Sequence, residues 1–134
     1  MREWHFYDKV YRRWIVIFIG ARKEMVKGLE RDGFKEMDGI EDWINGAQGF
    51  HIQMDADNND NGNRCHVIWM PKLDLGTLVH ELGHMVMSIF ETIGVIYGYN
   101  DQEVFTFYQE YWFNEITQTI KKYPKGRSYR LVKT

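Results

Sequence analysis

The hydrophobic pattern along the chain sets out a short series of elements. Trp14–Ile19 is the longest unbroken apolar run, rich in Ile and Val, and reads as a buried strand. From Ala21 to about Arg31 the composition is helical, and Gly33 stands where a helix C-cap glycine belongs. Ile40–Asn45 predicts a further short helix. Gly49–Met54 and Cys65–Met70 are runs of β-branched and aromatic residues on either side of Asp55–Asn63, a polar stretch of Asp, Asn and Gly. Together they read as a hairpin with a long loop. Pro71 stops the second strand. Leu75, Leu78, Val79, Leu82, Val86, Ile89, Phe90 and Ile93 then recur at helical spacing up to Gly94. A last long helix is predicted from about Asp101 to Lys122, ahead of Pro124 and Gly126. Strand, helix, hairpin, helix, helix is an α+β order, with helices packed on one small sheet.

The remaining bulk properties narrow the classes. A length of 134 residues suits one domain, covering 1–134, and no repeat or Pro/Ser-rich linker divides it. Hydrophobic residues make up 44% and charged residues 27%, the balance of a folded soluble chain. The net charge of −2 gives no basic field, so no nucleic-acid partner is expected. Aromatics reach 16%, and most are expected to fill the core. The lone cysteine, Cys65, rules out an intramolecular disulfide and suits a reducing, cytoplasmic setting. Arg12 and Arg13 before Trp14–Ile19 imitate a signal-peptide start. The run is too short to cross a bilayer, however, and Arg22, Lys23 and Glu24 follow at once, so no membrane partner is expected.

The residues that carry chemistry are His80-Glu81-Leu82-Gly83-His84. On a helix, residues four apart differ by about 40° in direction and about 6 Å along the axis. Two imidazoles so placed can bind one zinc ion, each at about 2.0–2.1 Å. The intervening glutamate can reach a water in the metal's open position. His80 and His84 fall on the half of the helix opposite the apolar stripe, with Thr77, Ser88 and Glu91, so they face a surface that could be a cleft. Two solvent-facing histidines on an amphipathic helix are the alternative.

A catalytic zinc takes a third protein ligand. Glu91 lies two turns on, about 10 Å by helix rise. Phe90 and Met87 occupy positions that a metzincin gives to histidine and glycine. Asp101, Glu103, Glu110 and Glu115 remain, on the last helix. Glu103 completes the pattern HExxH-x18-E. Gln102-Glu103-Val104-Phe105-Thr106-Phe107-Tyr108-Gln109-Glu110 resembles the second zinc helix of the gluzincins, in particular their aminopeptidases, whose pattern is Asn-Glu-Gly-Phe-Ala-x-Tyr-x-Glu. The glutamate, the Phe two after it, the Tyr five after it and the Glu seven after it are kept; Val104 replaces the glycine and Gln102 the asparagine. The likeness covers roughly Leu75–Tyr111. It implies a minimal zincin-like domain, zinc as cofactor, and His80, His84 and Glu103 as its ligands. By the same resemblance Glu81 is the general base and a peptide or protein is the substrate. The size and layout also resemble small HExxH proteins of phage and prophage genomes. Asn100–Glu103 reads equally as a capping box, which would give Glu103 a purely structural task.

Gluzincins lay their substrate along an edge strand upstream of the HExxH helix. Gly46-Ala47-Gln48-Gly49-Phe50 stands there, keeping only the Gly-Ala of the aminopeptidase motif and lacking its N-terminus-binding glutamate. Tyr97, Tyr99 and Tyr108 are candidate oxyanion donors, each also readable as packing. Asp57, Asn59, Asn61 and Gly62 open like a calcium loop, but Ile68 stands where its glutamate is required, so a solvated loop is expected. His5, His51 and His66 lack ligand spacing. Two rival functions remain: a catalytically silent zinc-binding domain acting through a protein partner, and a deformylase-like amidase with Cys65 on the metal.

Overall fold

The computed structural model describes residues 1–34, 48–54, 64–95 and 102–127. Four strands and three helices follow one another along them: β1 (Arg2–Asp8), β2 (Arg13–Ile19), α1 (Arg22–Arg31), β3 (Phe50–Met54), β4 (Cys65–Met70), α2 (Leu75–Thr92) and α3 (Gln102–Lys122). The expected α+β order therefore holds, with one strand added in front. The short helix expected at Ile40–Asn45 and the loop expected at Asp55–Asn63 lie outside the described residues.

The strands form one sheet in the order β1-β2-β4-β3. β2 and β4 are parallel neighbours at its centre, and β1 and β3 flank them antiparallel. A central parallel strand is covered on both faces, which explains why Ile15–Ile19 and Cys65–Met70 are buried without a break. Alternation then sorts the side chains. Val16, Phe18, Cys65, Val67, Phe50 and Met54 join Met25 and Leu29 of α1 on one face. Ile15, Ile17, Ile19, Ile68 and Met70 join Trp4, Phe6 and the helices α2 and α3 on the other. β1 has the same alternation, Trp4 and Phe6 against Glu3 and His5.

The C-terminal ends of α1 and α2 are glycine stops. Gly33 (φ 92°) and Gly94 (φ 81°) follow α1 and α2. Phe34 N–H bonds the Leu29 carbonyl and Val95 N–H the Phe90 carbonyl, the double closure of a Schellman turn. Asp74 caps the start of α2, its carboxylate accepting from Thr77 N–H at 2.8 Å. The stripe that α2 buries is Leu78, Leu82, Met85, Val86, Ile89 and Phe90. Leu75, Val79 and Ile93, expected within that stripe, are exposed, and Met85 takes their place. α3 packs through Trp112, Ile116 and Ile120, with Trp112 edge-on to Phe6 at 5.9 Å between ring centroids. No described helix is long and apolar enough to cross a membrane.

Candidate metal centre and cleft

Helix α2 runs beside the edge strand β3, and the space between them is the candidate site. One part, of about 510 Å³, is lined by Gly49, His51 and Gln53 on the strand side and by Glu81, His84, Ser88 and Glu91 on the helix side. A second part, of about 430 Å³, is lined by Gln48, Gly49, Thr77, His80 and Glu81. Gly49 and Glu81 belong to both, so the two parts meet at the glutamate. The Ser88 hydroxyl donates to Gln53 Oε1 and ties the helix to the strand inside the cleft.

His80 and His84 are exposed on this side of α2, as their spacing requires. Their Nε2 atoms stand 3.2 Å apart, with the rings at 79° to one another. Glu81 is nearly buried, at 8% exposure. Burial raises its carboxyl above the ordinary range, while the charges of His80 and His84 pull it back. A carboxyl raised in this way and set beside two imidazoles has the chemistry of a proton-transfer group.

Glu103 lies in the first turn of α3, is exposed, and is not gathered with the histidines. Among the described residues, no third His, Cys, Asp or Glu has a ligand atom within 4.8 Å of those of both His80 and His84. Glu110 and Glu115 are likewise exposed on α3. Gln109 of α3 does reach α2, donating to the Val79 carbonyl at 3.1 Å. The group whose ligand atoms do lie that close together is Glu3, His5 and Asp32, on the α1 face of the sheet. There Arg31 pairs with Glu3 at 2.5 Å and with Asp32 at 3.4 Å, giving an ion-pair network. Cys65 is fully buried on that same face, across the sheet from α2, and burial raises its thiol strongly.

Tyr108 donates its hydroxyl to Asp8 and packs against Tyr11 and Phe90, which makes it a core aromatic. Tyr97, Tyr99, Asp101, Gly46 and Ala47 lie outside the described residues.

Spacing along the chain missed the strand side of the cleft. Alternation puts His51 and Gln53 on the α2 face of β3, between Phe50, Ile52 and Met54 on the other. Behind His51 stand His66 of β4 and Arg13 of β2. His51 Nε2 lies 2.9 Å from His66 Nδ1, and His66 Nε2 lies 2.9 Å from a guanidinium nitrogen of Arg13. The period-two pattern of β3 was the available signal. Compared with family models, curated proteins and solved structures, the chain matches none.

Proposed function

We propose that this protein is a zinc-dependent hydrolase acting on peptide bonds in the cleft between β3 and α2. The observation that carries this reading is the 3.2 Å separation of the His80 and His84 Nε2 atoms on the cleft wall. Two nitrogens that each bind one zinc at 2.0–2.1 Å, at a near-tetrahedral angle, are separated by a little over about 3 Å. The pair fits the ion. When bound, zinc acidifies a water and polarises a carbonyl.

His80 and His84 would hold the metal, with Glu103 as the proposed third ligand. Glu81 would take the proton of the attacking water as the new C–O bond forms. It would then deliver that proton to the amine nitrogen as the C–N bond breaks. β3 pairs only with β4 among the described residues, so its other edge can offer backbone groups to an extended peptide. An edge strand beside the HExxH helix is also what the likeness to gluzincins implies, and it supports a zincin-like relationship. A cytoplasmic setting remains part of the proposal.

One observation favours a second reading, a zinc-binding module that works through a partner: no Glu103 carboxylate oxygen lies within 4.8 Å of the ligand atoms of both histidines. Binding alone gives Glu81 no reason to sit nearly buried at the junction of the cleft. The deformylase-like reading required Cys65 on the metal, and Cys65 packs on the opposite face of the sheet.

Elemental analysis and hydrolysis of a pool of quenched fluorogenic peptides test the assignment together. Glu81→Gln should keep zinc and lose at least about 100-fold in rate, whereas His80→Ala should lose both. Loss of zinc in Glu103→Ala would support it as the third ligand. Full activity in Glu81→Gln would remove the general base, and a wild type without zinc would remove the hydrolase reading.

A further inference from the structure

The row Arg13–His66–His51 runs from the centre of the sheet to the cleft, and its hydrogen bonds can be read in only one direction. Arginine has N–H groups and no acceptor, so His66 Nε2, 2.9 Å from the Arg13 guanidinium, must accept. A neutral imidazole carries one proton, so that of His66 is on Nδ1 and is donated to His51 Nε2. His51 Nε2 is therefore an acceptor too, and the His51 proton sits on Nδ1. A charged ring at either position would set N–H against N–H.

The ring geometry agrees. The planes of His51 and His66 differ by 11°, with centroids 5.2 Å apart and facing nitrogens at 2.9 Å. These distances place both nitrogens close to the line between the centroids, as in two coplanar rings joined edge to edge. The environment agrees as well. Burial, then the charge of His84, lowers His51 to about 4. Burial, then the repulsion that a charge on His51 would add and the charge of Arg13, lowers His66 to about 2.

The two nitrogens of an imidazole flank one carbon and aim in widely divergent directions. With Nε2 turned to the buried His66, the Nδ1–H of His51 points away from that partner, and the residue lines the cleft that Glu81 and His84 also line. No choice of one nitrogen from each of His51, His80 and His84 brings all three within 4.8 Å, so His51 stands outside a metal shell built on the pair.

We propose that His51 is a catalytic hydrogen-bond donor, giving its Nδ1–H to the substrate carbonyl oxygen as that oxygen becomes an oxyanion. Arg13 and His66 are positioning residues that fix its tautomer. This proposal rests on the hydrolase reading. In the step concerned, the oxygen of water bonds to the carbonyl carbon and its proton passes to Glu81. The π pair of the carbonyl moves onto its oxygen, where the hydrogen bond from His51 strengthens. The pair returns as the C–N bond breaks and the amine takes the proton from Glu81. A neutral ring fixed by a buried cation is a preorganised donor, needing no reorientation as the charge develops.

Side-chain ¹⁵N–¹H correlation spectra of the full-length protein read the tautomers, and kinetics on the peptide pool read the role. His51 and His66 should both show the Nδ1–H form. A tripeptide phosphonate, an anionic mimic of the tetrahedral centre, should shift the His51 Nδ1 proton downfield in the zinc-loaded protein. His51→Leu should lower kcat by about 10²–10³-fold with zinc content and KM little changed. His51→Asn, which keeps an amide N–H near the Nδ1 position, should restore part of the rate. A proton on His51 Nε2, or a normal kcat in His51→Leu, would overturn the proposal while leaving the zinc hydrolase intact. Wild-type protein with neither zinc nor hydrolysis would overturn both.

Discussion

An imidazole kept neutral inside a protein links stability to pH, because the unfolded chain titrates where the native one does not. His51 and His66 are lowered from 6.5 to about 4 and about 2, burial being the largest cause for each. Between pH 6.5 and 4 the unfolded chain binds protons that the native state refuses, so stability falls as pH falls. The contribution is fully present above 6.5 and is lost on the way down. Each histidine steepens the dependence by at most about 1.4 kcal/mol per pH unit. Urea unfolding of chelator-treated protein between pH 7 and 4.5 should therefore show a falling midpoint, with a shallower fall in His51→Leu. Equal slopes in the two proteins would mean that His51 is not held neutral.

At the scale of elements, the width of the cleft is set where β3 meets the start of α2. Gly49 precedes β3, and a Cβ added there would lie 2.6 Å from Thr77 Cγ2 and 3.0 Å from the Trp69 carbonyl oxygen. Neither neighbour can yield easily, since one belongs to the first turn of α2 and the other to the backbone of β4. Gly49→Ala should thus destabilise the protein by about 1–3 kcal/mol, the usual range for overpacking, and should push α2 away from β3. Because Gly49 lines both parts of the cleft, the proposed peptide hydrolysis should fall more steeply than stability; a variant as stable and as active as wild type would show that the contact is not tight. The elements themselves were largely legible, since β2 and β4 are continuous apolar runs, α2 carries its period locally, and Gly33 and Gly94 mark the stops of α1 and α2. β1 was not. Its face with Glu3 and His5 is buried by Arg31 and Asp32 of the α1 end, a charge arrangement that exists only once the sheet has formed. The site divides in the same way. The HExxH pair lies within one helical turn and can be read from spacing alone. The row His51–His66–Arg13 joins three strands across 15 and 53 positions of chain, which no local period encodes.

For the molecule as a whole, the decisive relation is between the His80–His84 pair and the core. The two buried clusters lie on opposite faces of the sheet, and each is closed by helix and strand side chains. His80 and His84 belong to neither and stand exposed at the cleft. A structural zinc site supplies the folding energy of its domain, and chelation unfolds it. Here hydrophobic burial supplies that energy, so a metal bound at the pair should add stability only by mass action. At about 100 times its dissociation constant, zinc would then contribute about 2.7 kcal/mol. If the hydrolase reading holds, EDTA should lower the melting temperature, leave the far-ultraviolet circular dichroism of the folded state unchanged at 25 °C, and abolish the proposed peptide hydrolysis. Added zinc should restore both activity and melting temperature in wild type, and neither in His84→Ala. Collapse of the helical signal on chelation would place zinc among the supports of the fold and favour the silent binding module over the enzyme.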